Sequence, residues 1–346
     1  MLKLILTISI FIFIVGGIDL NRLGKGLKEP SSVNYDIKKS KQLFEEFVEK
    51  YNKQYDRVEY NYRYEIFVKN LEEINERNKK SKSAIYGITK FVDLTHEEFI
   101  AKYTGLAISG RRSDFVNTTV EVETLLDSTE APEEFDWRNK NVVTEVKDQS
   151  TCGSCWAFSA TGVTEGQYAI RHSELLSLSE KQLIDCWSES GGCATGHYPH
   201  VALNAVAKMG GFMTETDYPY APRQDECSFQ KDKVAVRVKR GVRIQVNDEE
   251  QLKRLVYQKG PISTGFFAYN GFSTYSGQII DGANCPADAT PNHAMLIVGY
   301  GVENGTPYWI IKNSYSENWG DRGYLKLIRG KNACALLFYT ALAEVE

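Results

Sequence analysis

The sequence has no apolar stretch long enough to cross a bilayer: Leu4 to Val15 covers about twelve residues, against the roughly 20 that a transmembrane helix needs. It has no excess of cations either. Lys and Arg total 41 against 45 Asp and Glu, for a net charge of −4, and no lysine- or arginine-dense run appears, so a nucleic-acid partner has no phosphate-neutralising surface to bind. No 20–50-residue repeat marks a solenoid or propeller. Histidines number only five, and no second C-x-x-C accompanies Cys152-Gly-Ser-Cys155, which leaves a zinc site short of ligands. His197 and His200 have metal-like spacing but no third ligand, and no βαβ pattern surrounds the C-x-x-C to suit a thioredoxin-like redox pair. No metal and no organic cofactor are expected.

What is present reads as a soluble globular protein, 42% apolar and 25% charged. Its 346 residues are about twice the usual domain length of roughly 150, so a prodomain, a second lobe or both are expected. Seven cysteines allow six to pair and leave one thiol for chemistry. Lys3, the short apolar run and Gly16-Gly17 predict a signal peptide over 1–17, and with it the secretory pathway, where disulfides persist. The N-x-T sequons at Asn117 and Asn304 become glycosylation candidates there.

Residues 35–105 look helical and charged. Phe44, Phe47, Val48 and Tyr51 follow a helical stripe, and a longer helix is expected from about 58 to 80, with Glu59, Arg63, Phe67, Asn70, Ile74 and Asn78 along one face. Gly87 to Asp93 alternates like an edge strand, and Thr95-His-Glu-Glu98 offers a capping box. Residues 106–130, with Arg111-Arg112, lose periodicity and read as an exposed linker open to proteolysis. From Ala131 the texture is globular and includes every cysteine. Helices are expected at 155–171, at 179–186 behind a Ser179 to Gln182 capping box, and at 199–209; strands are expected at 235–246, 295–300 and 308–312. The predicted division is a signal peptide at 1–17, an inhibitory prodomain and linker at 18–130, and a globular domain at 131–346. The last falls into a helix-rich part (about 131–233) and a β-rich part (about 234–346), an α+β fold.

Cys155 opens an apolar helix, where free N–H groups and the helix dipole favour a thiolate. A thiolate nucleophile needs a histidine to hold it ionised and to protonate a leaving amine. His96 and His172 lie in polar surroundings, whereas His293 directly precedes the strand Ala294 to Val298. If 295–300 and 308–312 form a hairpin, Asn313 falls beside His293 and its carbonyl accepts the imidazole N–H, while Trp319 adds an aromatic wall. Gln149 can donate to an oxyanion together with the Cys155 backbone N–H.

These residues resemble the papain/cathepsin family of cysteine peptidases. Cys152-Gly-Ser-Cys155-Trp156 fits its C-G-[SA]-C-[WY] signature, with His293 and Asn313 following. The 59–78 pattern is similar to the family's prodomain helix signature, and Gly87, Thr89, Phe91 and Asp93 match its next element except that Thr89 replaces asparagine. Together they point to the cathepsin L-like branch.

The resemblance implies disulfides Cys152–Cys193, Cys186–Cys227 and Cys285–Cys334, with Cys155 free, in a two-lobed papain-like fold with the cleft between the lobes. It implies a zymogen whose prodomain lies in the cleft opposite to substrate direction. It further implies an endopeptidase acting on proteins and peptides as a monomer in a lysosomal or extracellular setting, with cystatin-like inhibitors as partners. Gly196 would line the substrate edge, Tyr339 the base of an apolar P2 pocket, and Asp93 would sense acid.

Three departures stand out. Tyr315 replaces the usual tryptophan that shields the Asn–His bond, Ala194-Thr195 replace Asn-Gly before Gly196, with one residue inserted after them, and Ala335 replaces a glycine. The first two motivate the alternative of a weakly active or inactive papain-like binding protein.

Overall fold

The computed structural model describes residues 33–106, 119–194 and 196–346. The signal peptide at 1–17, the Asn117 sequon and the Arg111-Arg112 stretch lie outside the described residues.

Two helices build the leading part, α1 (Ser40–Lys50) and α2 (Arg57–Lys80). Asp56 caps α2 by accepting from the Val58 and Glu59 N–H groups. Phe67 packs tilted against Phe44 and Phe47, with ring centroids 5.1 Å from each. The signature face then grips the chain that follows: Asn70 Nδ2 donates to the Val92 and Leu94 carbonyls (2.7 and 2.9 Å), and Asn78 Nδ2 to those of Val33 and Tyr86 (both 2.8 Å). Arg63 reaches Glu98 at 2.7 Å and the Asp93 carbonyl at 3.1 Å, and Ile74 is buried. Glu59 stays exposed, bonded to Arg63 Nε at 3.3 Å.

The expected strand over 87–93 is corrected. Only β1 (Ile85–Tyr86) pairs, antiparallel, with 275–277, and residues 90–93 form a turn closed by Val92 N to Thr89 O and Leu94 N to Phe91 O. The alternation reflects burial of Thr89, Phe91 and Asp93, but Val92 is equally buried, so the period of two breaks. Thr89, the departure from asparagine, donates its hydroxyl to the Ser273 carbonyl at 2.7 Å. α3 (His96–Tyr103) begins with the full reciprocal capping box of Thr95 and Glu98.

The linker reading is corrected too. β2 (Thr119–Glu121) runs parallel to residues 243–245, and Val122 behind it is fully buried. Asp127 to Glu130 are exposed.

In the globular domain, β3 (Phe135–Asp136) precedes three helices, α4 (Cys155–His172), α5 (Glu180–Cys186) and α6 (Pro199–Met209). At α5 only half of the expected capping box forms: Ser179 accepts from Gln182 N, but the Gln182 side chain turns to the Gly211 carbonyl and the Met213 N–H. Then come β4 (Val238–Gln245), α7 (Glu249–Lys259), β5 (Ile262–Phe266), β6 (Tyr275–Gly277), β7 (Ile279–Ile280), β8 (His293–Glu303), β9 (Thr306–Lys312), β10 (Tyr324–Ile328) and β11 (Thr340–Val345). The sheet order is β2-β4-β11-β5-β8-β9-β10-β7, with β3 also on β8. The split at 233 is therefore not strict, since the early strand β3 belongs to the sheet and the late helix α7 packs near it. The three disulfides are Cys152–Cys193, Cys186–Cys227 and Cys285–Cys334.

α4 is the pivot, most of its residues buried, packed on α5 and α6 and on β5, β8 and β11. Behind it lies a charged cluster that sequence reading did not reveal. Lys147 bonds Glu165 (3.1 Å) and Glu180 (2.8 Å), and Lys312 donates to Thr144 (2.8 Å). Paired in this way, the buried charges avoid the cost of an isolated ion.

Candidate active site

Cys155 is the first residue of α4, fully buried and the free cysteine, with backbone groups around its sulfur that favour the thiolate less than burial disfavours it. His293 opens β8, where pairing with Phe266 on β5 holds its backbone. The β8–β9 hairpin sets Leu296 opposite Lys312, so Asn313 emerges alongside His293. The result is a bond of 2.8 Å between His293 Nε2 and Asn313 Oδ1, which also accepts from Ser314 N at 2.8 Å. An amide oxygen can only accept, so Nε2 carries the proton and Nδ1, buried without a hydrogen-bond partner, is left for exchange with a thiol.

Gln149 is fully buried and fixed from both ends. Its backbone N–H donates to the Ser314 carbonyl at 2.9 Å, and its Oε1 accepts from Ser314 Oγ at 2.6 Å. Its Nε2 donates to the Cys152 carbonyl at 2.8 Å and to the Tyr103 carbonyl at 3.1 Å. The amide hydrogen expected to serve an oxyanion is here taken by the leading part of the chain.

That part covers the site with Tyr103 to Leu106. Gly105 and Leu106 donate their N–H groups to the Asn292 carbonyl (3.2 and 3.0 Å), and the Gly105 carbonyl accepts from His197 N at 3.1 Å. This cleft-edge bond comes from His197, one residue beyond the expected Gly196. Gly105 is required by close approach, because a Cβ there would lie 1.9 Å from the Gly153 oxygen. Leu106 clusters with Tyr198, Tyr339, Ala294 and Ala341, so the base residue expected for an apolar pocket does meet an apolar side chain.

Tyr315 fills the place of the shielding tryptophan. Its ring stacks on His293 with centroids 5.0 Å apart at 25°, meets Trp319 edge-on at 5.4 Å, and is fully buried, so the His293–Asn313 bond is covered by a phenol. Its hydroxyl donates to the Tyr103 carbonyl at 2.7 Å. Trp319 lies beneath, against Phe272 and Tyr275, its indole N–H donating to Ser273 O at 3.2 Å.

Under this cover the pair is electrically quiet. Burial pushes the Cys155 thiol up to about 12, against weaker lowering by backbone N–H groups. Burial also takes His293 down to about 4, with the Asn313 bond opposing it. Both shifts favour neutral thiol and neutral imidazole, a latent state of a pair that can form thiolate and imidazolium once solvent and substrate enter.

Asp93 is buried, with Lys53 Nζ 3.0 Å from both carboxylate oxygens and the Tyr55 hydroxyl 2.6 Å from Oδ2. Asn304 is exposed in the turn between β8 and β9. Tyr103, Gly105, Leu106, Asn292, His197 and Ser314 are the site residues that sequence reading missed, most of them acting through backbone groups that carry no composition signal.

The profile of the papain family cysteine proteases matches residues 131–342, and that of the cathepsin propeptide inhibitor domain matches residues 44–99. The viral cathepsin of Adoxophyes honmai nucleopolyhedrovirus is 43% identical over 312 residues, covering 88% of this chain and 91% of the relative. That of Choristoneura fumiferana defective polyhedrosis virus is 42% identical over 306 residues, covering 88% and 92%. Among solved structures, the digestive procathepsin L2 proteinase of Tenebrio molitor larval midgut superposes with a TM-score of 0.82 at 35% identity, over 88% of this chain and 99% of that one. The proform of the ragweed pollen cysteine protease Amb a 11 superposes with a TM-score of 0.78 at 30% identity, over 91% and 99%.

Proposed function

The chain belongs to the papain family of cysteine proteases and carries a cathepsin propeptide, and on that premise we propose that it is an endopeptidase working through Cys155, His293 and Asn313, held latent by residues 18–130. The observation that carries this reading is the 2.8 Å His293–Asn313 bond beside a free, helix-opening Cys155, beneath a prodomain carbonyl held by Gln149.

In the reaction, the Cys155 thiolate attacks the scissile carbonyl while Gln149 and the Cys155 N–H hold the oxyanion. His293 gives its proton to the leaving amine, and water then cleaves the thioester with His293 as base. Asn313 keeps the imidazole in the tautomer this needs. Acid loosens the prodomain, and cleavage within about 125–131 frees the enzyme, in a stretch where Asp127 to Glu130 are exposed. The apolar amino terminus and three disulfides support a secretory route to a lysosomal or extracellular site, with Asn304 exposed for glycosylation. Proteins and peptides are the substrates, and the mature domain acts as a monomer open to cystatin-like inhibitors.

The test is to acidify the purified proform to about pH 4–5, titrate it with an epoxide inhibitor, and assay a peptide blocked at both ends. Labelling of wild type but not of Cys155→Ala, with internal cleavage of the blocked peptide, is expected. Absent labelling, or labelling that survives the substitution, overturns the reading in favour of an inactive binding protein.

A further inference from the structure

Strand register makes the pocket that takes Leu106 a neighbour of the outer margin of the sheet. Ala341 on β11 lies in the cluster around Leu106 and pairs with Arg243 on β4, which pairs in turn with Thr119 on β2, the outermost strand on that side. The track that β2 occupies is therefore two strand spacings from the pocket wall, about 10 Å, which about three extended residues can span. A side chain links the two places as well. Arg243 Nη2 donates at 3.3 Å to the carbonyl of Phe338, the residue before Tyr339.

The segment seated on this track shows what it accepts. Thr119, Val120 and Glu121 pair with Arg243, Ile244 and Gln245, Val122 is fully buried, and Glu121 and Glu123 stay exposed. Glu123 accepts from Gln251 Nε2 of α7 at 2.9 Å. Main-chain pairing with alternate side chains buried recognises an extended chain rather than a folded surface. With the prodomain expected to run opposite to a substrate, its residues after Leu106 correspond to those before P2. A substrate strand on the same track then runs antiparallel to β4, a direction that pairs at least as well as the parallel one.

We propose that residues 243–245 of β4, with the recess that holds Val122, form a remote substrate-binding site: once the prodomain leaves, a stretch of substrate several residues before P2 pairs there as a strand while P2 fills the place of Leu106. This rests on the peptidase reading above. It makes long extended segments better substrates than short peptides, and it favours segments in which β-branched apolar residues alternate with polar ones.

The test uses mature wild-type enzyme obtained by acid processing of the full chain, assayed on three internally quenched peptides that are identical around the scissile bond. Each carries an upstream extension of the same length, long enough to reach β4: one alternates valine and glutamate, one is glycine and serine, and one repeats the valine–glutamate sequence with N-methylated amides. N-methylation keeps the side chains and removes the main-chain donors. The valine–glutamate peptide is expected to exceed the glycine–serine peptide in kcat/KM by about three- to ten-fold, the scale of one neutral hydrogen bond, through a lower KM. N-methylation is expected to abolish that advantage. Equal values for the first two peptides overturn the proposal, and so does an advantage that survives N-methylation, because it then owes nothing to strand pairing. Enzyme that cleaves none of the three overturns the peptidase reading as well.

Discussion

Lys53 Nζ lies 3.0 Å from each carboxylate oxygen of Asp93, a residue only 2% exposed. Moving a proton from the Cys155 thiol to His293 makes thiolate and imidazolium without taking one from solvent, so the Lys53–Asp93 ion pair is a separate place to test what holds the prodomain closed. Asp93→Asn removes the charge at every pH and leaves the part-buried Lys53 ammonium unpaired, at a cost of about 2–3 kcal/mol. The variant proform is expected to mature rapidly at pH near 6, where wild type remains latent, as followed by gel mobility. Equal maturation rates would mean that the Lys53–Asp93 pair does not hold the prodomain closed.

Latency also has a spectroscopic signature in the site. His293 is held down to about 4 by burial, against an ordinary 6.5, so its ring stays neutral in the proform through the mildly acidic range. The unfolded chain binds the proton first, so this histidine costs no stability above pH 6.5. Below it, proform stability is lost until the ring titrates near 4, a penalty of about 3 kcal/mol. In the Cys155→Ala proform the His293 ring, assigned by its loss in His293→Ala, should keep neutral-imidazole chemical shifts between pH 7 and 5. Protonation of the His293 ring near pH 6.5 would contradict the burial argument.

Gly105 tests whether backbone approach is what seals the cleft. A Cβ would meet the Gly153 oxygen at 1.9 Å, and neither backbone can yield without breaking the bonds to Asn292 and His197. Overpacking of this kind costs about 1–3 kcal/mol, so Gly105→Ala proform should react with a thiol-directed inhibitor at neutral pH roughly ten-fold or more faster than wild type. Equal reactivity would mean that the segment blocks the site without close contact.

Glu215 gives the protease domain a preference for acid. Burial and the neighbouring Glu180 raise its carboxyl to about 7 from an ordinary 4.5, so the folded state holds a proton that the unfolded state has released between those values. The stabilisation is complete below pH 4.5 and disappears as pH rises through about 7. Thermal melting of the mature enzyme should therefore shift downward between pH 5 and 7.5, and Glu215→Gln should flatten that slope. A slope that survives the substitution belongs to another group.

How much of this was legible in the sequence depended on the kind of group involved. Cys155, His293, Asn313 and Gln149 could be nominated because their side-chain chemistry is scarce and because hairpin arithmetic puts residue 313 beside 293. Tyr103, Gly105 and Asn292 were hidden because they contribute N–H and C=O groups that almost every residue has. The turn at 90–93 was misread because alternating burial resembled a strand. Helix α7 has a clear Asp248 cap and a Leu252, Leu255 and Val256 face, yet it lay inside a segment judged rich in strands. β2 was missed because three residues with little periodicity find their partner more than 100 positions away, and only the folded sheet supplies it.

β2 also changes what processing exposes. While it is in place, the N–H and C=O groups of Arg243 to Gln245 on that side of β4 are matched by a parallel neighbour. Were the chain cut within the proposed 125–131 stretch and its leading part lost, β4 would become an open sheet margin on which another extended chain could template. Loss of the leading part would then uncover two surfaces at once, the cleft at Cys155 and the free edge of β4.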